Sequence, residues 1–259
     1  MAHDPKRLNW QGTEARPLSW CAWYPAVETA IEEEAFVGPP GHALFTQRMM
    51  AENADISAKH LQWPVVLLSH GTGGTAQSIG WIGRGLAQRG FVVLAINHHG
   101  NTSIEPYRAE GFLCWWERES DLSAILDLVN TTAEFKGRLD IANVFAVGFS
   151  LGAHSVVALG GAITSLGQFD AWTKLNKKFG LGPKEFPNLI DRVENLAKNS
   201  AQFRVSMKRQ GDDFSNPLIR AIVAIAPPPP VRSFKPDSIA NMLVPVMTIY
   251  GEMDSEAPY

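Results

Sequence analysis

Nine residues constrain this chain most: Val144-Phe-Ala-Val-Gly-Phe-Ser-Leu-Gly152. Four largely apolar residues lead into Gly148-Phe149-Ser150-Leu151-Gly152, a G-x-S-x-G, and a helical stretch from Ala153 to Ala162 follows. A buried strand, a sharp turn around a central serine and then a helix predict a nucleophile elbow. The glycines are required because Cβ atoms would clash with neighbouring backbone in so tight a turn. The following helix aims its N-terminal N–H groups and positive dipole end at the serine oxygen. Such an element needs a parallel sheet to carry it, and the chain supplies one.

Short apolar runs recur at Pro64–Ser69, Phe91–Ile96, Val144–Val147, Arg220–Ile225 and Val246–Ile249, each with the composition of a strand buried on both faces. Between them, Ala76–Arg89 and Glu117–Glu134 read as helices, the second with Leu122, Ile125, Leu126 and Val129 on one face. Alternation of this kind gives a mostly parallel central sheet with right-handed crossovers and helices on both faces. Leu18–Tyr24 reads as an early antiparallel strand. Residues 26–60 read as irregular, broken at Gly38-Pro-Pro-Gly41. Residues 165–217 interrupt the alternation and are polar, with Ile190–Ala197 as the best helix candidate. An insertion there predicts a cap over the active site. The 259 residues are expected to form one α/β domain.

Ester hydrolysis by serine needs a nucleophile, a base, a carboxylate that orients the base, and donors for the oxyanion. Ser150 is the candidate nucleophile. Ser69-His-Gly-Thr-Gly-Gly74 directly follows a strand, and its glycines let backbone N–H groups approach a substrate. The Thr72 and Leu151 amides are therefore the candidate oxyanion donors. Val246-Met-Thr-Ile-Tyr-Gly-Glu-Met-Asp254 supplies a strand, a turn and the candidate acid Asp254, with Glu252 as the alternative. All seven histidines precede Asp254. His70 reads as structural, His98 and His99 as residues that could line a pocket, and His154 as running into the core. Trp81, Phe112, Trp115, Trp116 and Phe149 are candidates for an apolar acyl pocket or for core.

The motifs Ser69–Gly74, Asn97-His-His-Gly-Asn-Thr102, Trp116-Glu-Arg-Glu-Ser-Asp-Leu122, Gly148–Gly152 and Gly251–Asp254, with Arg16–Pro25, resemble in combination one branch of the α/β-hydrolases. It is the predicted dienelactone-hydrolase branch, related to platelet-activating-factor acetylhydrolases. The resemblance implies an α/β-hydrolase fold and hydrolysis of short or medium acyl esters or lactones through an acyl-enzyme. Ser150 would attack, Asp254 would orient the base, and the Thr72 and Leu151 amides would hold the oxyanion. It places the catalytic histidine in a Gly-His loop beyond Asp254. The expectation is therefore that the last strand, that loop and a closing helix are missing from the 259 residues, and that this chain alone is nearly inert. Serine in place of the cysteine of some dienelactone hydrolases favours general esters. An acyltransferase with the same triad and a non-catalytic binding module are the alternatives.

No metal or organic cofactor is needed for this chemistry, and His98-His99 is a poor metal pair because adjacent side chains diverge on an extended backbone. A net charge of −3 gives no reason to expect nucleic acid as a partner. No apolar run approaches the roughly 20 residues that span a bilayer, and the polar start has no signal-peptide core. Cys21 and Cys114 are expected as free thiols of a cytoplasmic protein. Oligomeric state is not readable from the sequence.

Overall fold

The computed structural model describes residues 2–38, 42–177 and 182–254. Most of the Gly38–Gly41 break, positions 178–181 of the expected insertion and the residues after Asp254 lie outside the described residues.

A seven-stranded sheet organises the chain in the order β1-β2-β6-β5-β7-β8-β9. Its strands are β1 (Ala2–Leu8), β2 (Ala15–Trp23), β5 (Trp63–Ser69), β6 (Val92–Asn97), β7 (Leu139–Phe149), β8 (Ile219–Ile225) and β9 (Val246–Ile249). β1 pairs antiparallel with β2, and β2 with β6. The pairings β6–β5, β5–β7, β7–β8 and β8–β9 are all parallel.

The alternation of side chains along a strand sorts the core into two layers. Val65, Leu67, Val92, Leu94, Ile96, Val144 and Ala146 face one side, where α3 (Glu117–Val129) supplies Leu122, Ile125, Leu126 and Val129. On the same side α4 (Leu151–Leu159) supplies Val156 and Leu159. Val66, Leu68, Val93, Ala95 and Val147 face the other side, against Ile79 and Ile82 of the segment leading into and through α1 (Gly80–Ala87). Helices thus cover both faces, which is why the central strands read as unbroken apolar runs.

Three features depart from the sequence reading. The polar start is β1, held at the sheet edge by pairing with β2. Its residues alternate between exposed and covered positions and carry no strong strand composition. Residues 26–60 are not irregular throughout: β3 (Glu33–Val37) and β4 (Phe45–Met50) form a separate antiparallel hairpin with a register shift between Ala35 and Phe36. The bulge breaks the period-two pattern that would have revealed it. The third helix stops at Val129, five residues before the expected Glu134.

The stretch 165–217 contains α5 (Leu166–Leu175), a 3₁₀ turn Ile190–Arg192, α6 (Val193–Asn199) and α7 (Ala201–Lys208). It packs on the end of the sheet that bears Ser150. Phe203 joins Trp10, Trp115, Trp116 and Leu151 in one buried cluster. Leu189 packs with Ala109 and Phe112 of α2 (Ala109–Leu113). The Trp116 indole N–H donates to the Ser206 carbonyl at 3.0 Å. A short helix α8 (Pro236–Ala240) precedes β9, whose four residues are all exposed. Among the described residues no helix is long and apolar enough to cross a membrane. Cys21 and Cys114 are both free thiols.

Candidate active site

Strand order locates the site before any side chain is considered. From β5 the chain moves to β6 on one side, then returns across β5 to β7 on the other. The carboxyl ends of β5 and β7 therefore flank a topological switch point, where open α/β sheets form their ligand crevice. The loop after β5 is Ser69–Gly74, and the turn after β7 is Phe149-Ser150-Leu151.

Ser150 sits at φ 51°, ψ −120°, between the end of β7 and the first residue of α4. A non-glycine residue in this region is strained, and strain of this kind persists only where surrounding contacts over-determine it. Here they do. The Ser150 amide donates to the Ile225 carbonyl of β8 at 2.9 Å, and the Ser150 carbonyl accepts from the Ala153 amide at 2.7 Å. A Cβ at Gly148 would lie 2.0 Å from the Gly152 carbonyl oxygen. A Cβ at Gly152 would lie 2.0 Å from that of Ser69. Both glycines of the motif are thus sterically compelled, the second because the loop after β5 runs directly beneath it. A Cβ at Gly71 would stand 3.1 Å from Ser150 Cβ, so that loop passes alongside the serine. Among the described residues neither the Thr72 nor the Leu151 amide donates a hydrogen bond. Phe149, 39 % exposed, flanks Ser150.

The loop is tied down by residues whose role the sequence did not disclose. Asn101 Oδ1 accepts from the Gly73 amide at 2.7 Å, and Asn97 Oδ1 from the Ala76 amide at 2.8 Å. The Tyr107 hydroxyl donates to the Gly73 carbonyl at 2.8 Å. Gly73 adopts φ +63°, and a Cβ there would meet the Tyr107 oxygen at 2.8 Å and Glu185 Cγ at 3.2 Å. The 165–217 stretch therefore reaches the loop as well. Asn97 and Asn101 belong to Asn97-His-His-Gly-Asn-Thr102, a motif that could be noticed in the sequence but whose target could not.

The histidines are committed elsewhere. His98 and His99 do not line an open pocket: they are 1 % and 6 % exposed. His98 Nδ1 lies 3.1 Å from Asp121 Oδ2 and His98 Nε2 3.0 Å from Ser69 Oγ. His99 Nδ1 meets Glu105 Oε1 at 2.8 Å, and His99 Nε2 accepts from the Trp10 amide at 3.3 Å. His70 Nε2 accepts from the His98 amide at 3.2 Å, while His70 Nδ1 donates to the Gly71 carbonyl at 2.6 Å. His154 is buried against Phe234 and Trp115, with Nε2 3.3 Å from Thr164 Oγ1. Among the described residues no histidine is hydrogen-bonded to Ser150.

Burial, reinforced by the Arg118 charge, lowers the rings of His98 and His154 to about 3. The same two causes hold His70 well below the ordinary histidine range. All three are neutral at physiological pH. Asp121 goes the other way. Burial alone would raise it, but Arg16 and Arg7 overcome this and hold it well below the ordinary carboxylate range. Arg16 donates to both its oxygens, at 2.7 and 3.0 Å.

The other sequence candidates are placed as follows. Asp254 is half-buried in the turn after β9, its amide donating to the Gly251 carbonyl at 3.1 Å. Glu252 is exposed. Phe112, Trp115 and Trp116 are core, and Trp81 is 66 % exposed. A cavity of about 100 Å³ lies at the carboxyl ends of β8 and β9, lined by Trp172, Pro227, Pro228, Pro229, Val231, Arg232 and Tyr250. A larger groove of about 1000 Å³, between β1, α3 and α7, includes neither Ser150 nor the loop after β5. Among the described residues no three His, Cys, Asp or Glu side chains are grouped to hold a metal ion.

Residues 44–112 match the family described as platelet-activating factor acetylhydrolase, isoform II. The match runs from β4 to α2 and so includes the loop after β5 and the Asn97–Thr102 motif. No curated protein matches the chain by sequence. Among solved structures, a ferulic acid esterase from Streptomyces cinnamoneus superposes with a TM-score of 0.48 at 21 % identity, over 60 % of this chain. That match takes in 52 % of the esterase, so the chain spans about half of its length. Strand order, the covering of both faces and the strained serine between β7 and α4 make this an α/β-hydrolase fold.

Proposed function

We propose that the chain carries the nucleophile of a serine hydrolase that cleaves carboxylic esters through an acyl-enzyme. The observation that carries this reading is Ser150 held at φ 51° beside a glycine loop, with the Thr72 and Leu151 amides donating no hydrogen bond among the described residues. A structural serine has no need of such strain, whereas a nucleophile presented above a sheet edge does. In the proposed reaction Ser150 Oγ attacks the ester carbonyl and its proton passes to a histidine. The Thr72 and Leu151 amides receive the developing oxyanion, and water then releases the acid. Asp254 orients that histidine. His70, His98 and His154 are poor candidates for that base, because they are buried, neutral and bonded to other partners.

The 165–217 stretch is read as a cap, supported by the approach of Glu185 to Gly73 and the packing of Phe203 against Leu151. The cavity beside Trp172 and Tyr250 and the exposed part of Phe149 are our candidates for receiving a short acyl group. The test is hydrolysis of p-nitrophenyl acetate by the full-length protein and its Ser150→Ala variant. Loss of about 10⁴-fold or more in kcat is expected, as for triad nucleophiles elsewhere. A Ser150→Ala protein that kept its rate would sink the assignment.

A further inference from the structure

Arg118 lies under the loop after β5, 2 % exposed. One nitrogen, Nη2, donates to the His70 carbonyl and, at 3.3 Å, to Ser69 Oγ. The other two nitrogens have no hydrogen-bond partner among the described residues. Its neighbour in sequence, Glu119, is fully buried; among the described residues neither of its oxygens is hydrogen-bonded, and Oε1 lies 3.4 Å from His154 Nδ1. A guanidinium retained for stability alone would have all its nitrogens hydrogen-bonded, because buried donors left without acceptors are costly. This one is aimed at a single loop. That loop contains three glycines in six residues and has little conformational preference of its own. Its direction must be imposed from outside.

We propose that Arg118 is a positioning residue for the acyl-transfer reaction, holding the His70 carbonyl so that the Thr72 amide, two residues on, faces the oxyanion. The proposal rests on the serine-hydrolase reading above. The anchor has its own support. Arg118 donates to Ser69 Oγ, the Ser69 hydroxyl donates to His98 Nε2, and His98 Nδ1 donates to Asp121, which Arg16 and Arg7 hold ionised. Each partner fixes the tautomer or hydroxyl direction of the next. The chain runs from the surface edge of β1 to the peptide that precedes Gly71. The Trp116–Leu122 and Asn97–Thr102 motifs thus converge on one loop from two directions. Asn101, Asn97 and Tyr107 hold its far end, and Arg118 holds the end that leaves the sheet.

The experiment uses the full-length protein with Arg118→Met and Arg118→Lys variants, p-nitrophenyl acetate as substrate and phenylboronic acid as mimic of the tetrahedral state. Arg118→Met is expected to lower kcat roughly 10- to 100-fold with KM nearly unchanged, the size of effect produced by a displaced catalytic group. Boronate affinity should fall in parallel. The melting temperature should change little, the lost hydrogen bonds to the His70 carbonyl and Ser69 being offset by removal of a buried charge. In Arg118→Lys, burial pulls the ammonium below its ordinary range. Relative to wild type at the same pH, that variant should therefore keep part of its rate at low pH and lose it as pH rises.

Arg118→Met with kcat within about twofold of wild type would overturn the proposal, since a misplaced donor costs far more. So would a fall in kcat and melting temperature with boronate affinity unchanged. Should Arg118→Met fail to fold, the pH profile of Arg118→Lys decides: a profile parallel to wild type overturns it. Ser150→Ala separates the two levels. If that variant stays active, the serine-hydrolase reading itself fails; if it is dead while Arg118→Met is fully active, only the role of Arg118 fails.

Discussion

Replacing His98 with asparagine should measurably flatten the dependence of stability on pH. The ring is 1 % exposed, and burial with the Arg118 charge lowers it from the ordinary 6.5 to about 3. The native ring is therefore neutral down to about pH 3, while the unfolded ring takes up a proton below about 6.5. Between these limits the unfolded state binds more protons, so His98 subtracts stability as pH falls. At pH 5 the unfolded group is 1.5 pH units below its ordinary 6.5, which at 1.36 kcal/mol per unit is about 2 kcal/mol. Asparagine keeps a donor for Asp121 and does not titrate. Urea unfolding at pH 7.5 and 5.0 should show the wild type losing about 2 kcal/mol more than His98→Asn over this interval. The comparison of slopes cancels Glu119, which titrates in both proteins, and Asp121 is held too low to contribute. Parallel pH curves for the two proteins would refute the argument, because they would mean that the native ring titrates as the unfolded one does.

Ser150→Gly should be more stable than Ser150→Ala by about 0.5–2 kcal/mol in chemical denaturation, since relief of the strained dihedral outweighs the extra chain entropy of glycine. Gly152→Ala should lose about 3 kcal/mol or more, or fail to accumulate as folded protein, because its Cβ would fall 2.0 Å from the Ser69 carbonyl oxygen. Glu119→Gln should stabilise the protein at pH 8 by roughly 1–3 kcal/mol, with a smaller gain near pH 4, as read from melting curves at both pH values. The sign follows from burial, which pushes the Glu119 carboxyl well above its ordinary value. The native state then holds a proton that the unfolded state releases, and stability is lost as pH rises through the raised value.

The nucleophile turn was legible because its requirements are local. A strand, two glycines flanking a serine at fixed spacing and a helix are all written within one stretch of chain, and the buried parallel strands announce themselves by unbroken apolar composition. Of the edge elements, β9 was legible, but β1 and the hairpin were not. β1 is held by its pairing with β2 rather than by its own residues, and the β3–β4 hairpin carries a bulge that erases its alternation. His98 and His99 show the same limit at the site. Their position after a strand suggested a pocket lining, but Asp121 and Glu105 bury and orient them away from it.

By itself the sequence determined the α/β architecture, the serine at the turn and the glycine loop beside it, because backbone sterics and hydrophobic periodicity act over a few residues. Only the tertiary structure decided which residues hold that loop. Arg118, Asp121, Asn97, Asn101 and Tyr107 come from separate segments, and nothing in their spacing says that they meet. Crossing of the chain over β5 brings them to one point, and only there do burial and the absence of competing water turn single hydrogen bonds into a fixed geometry.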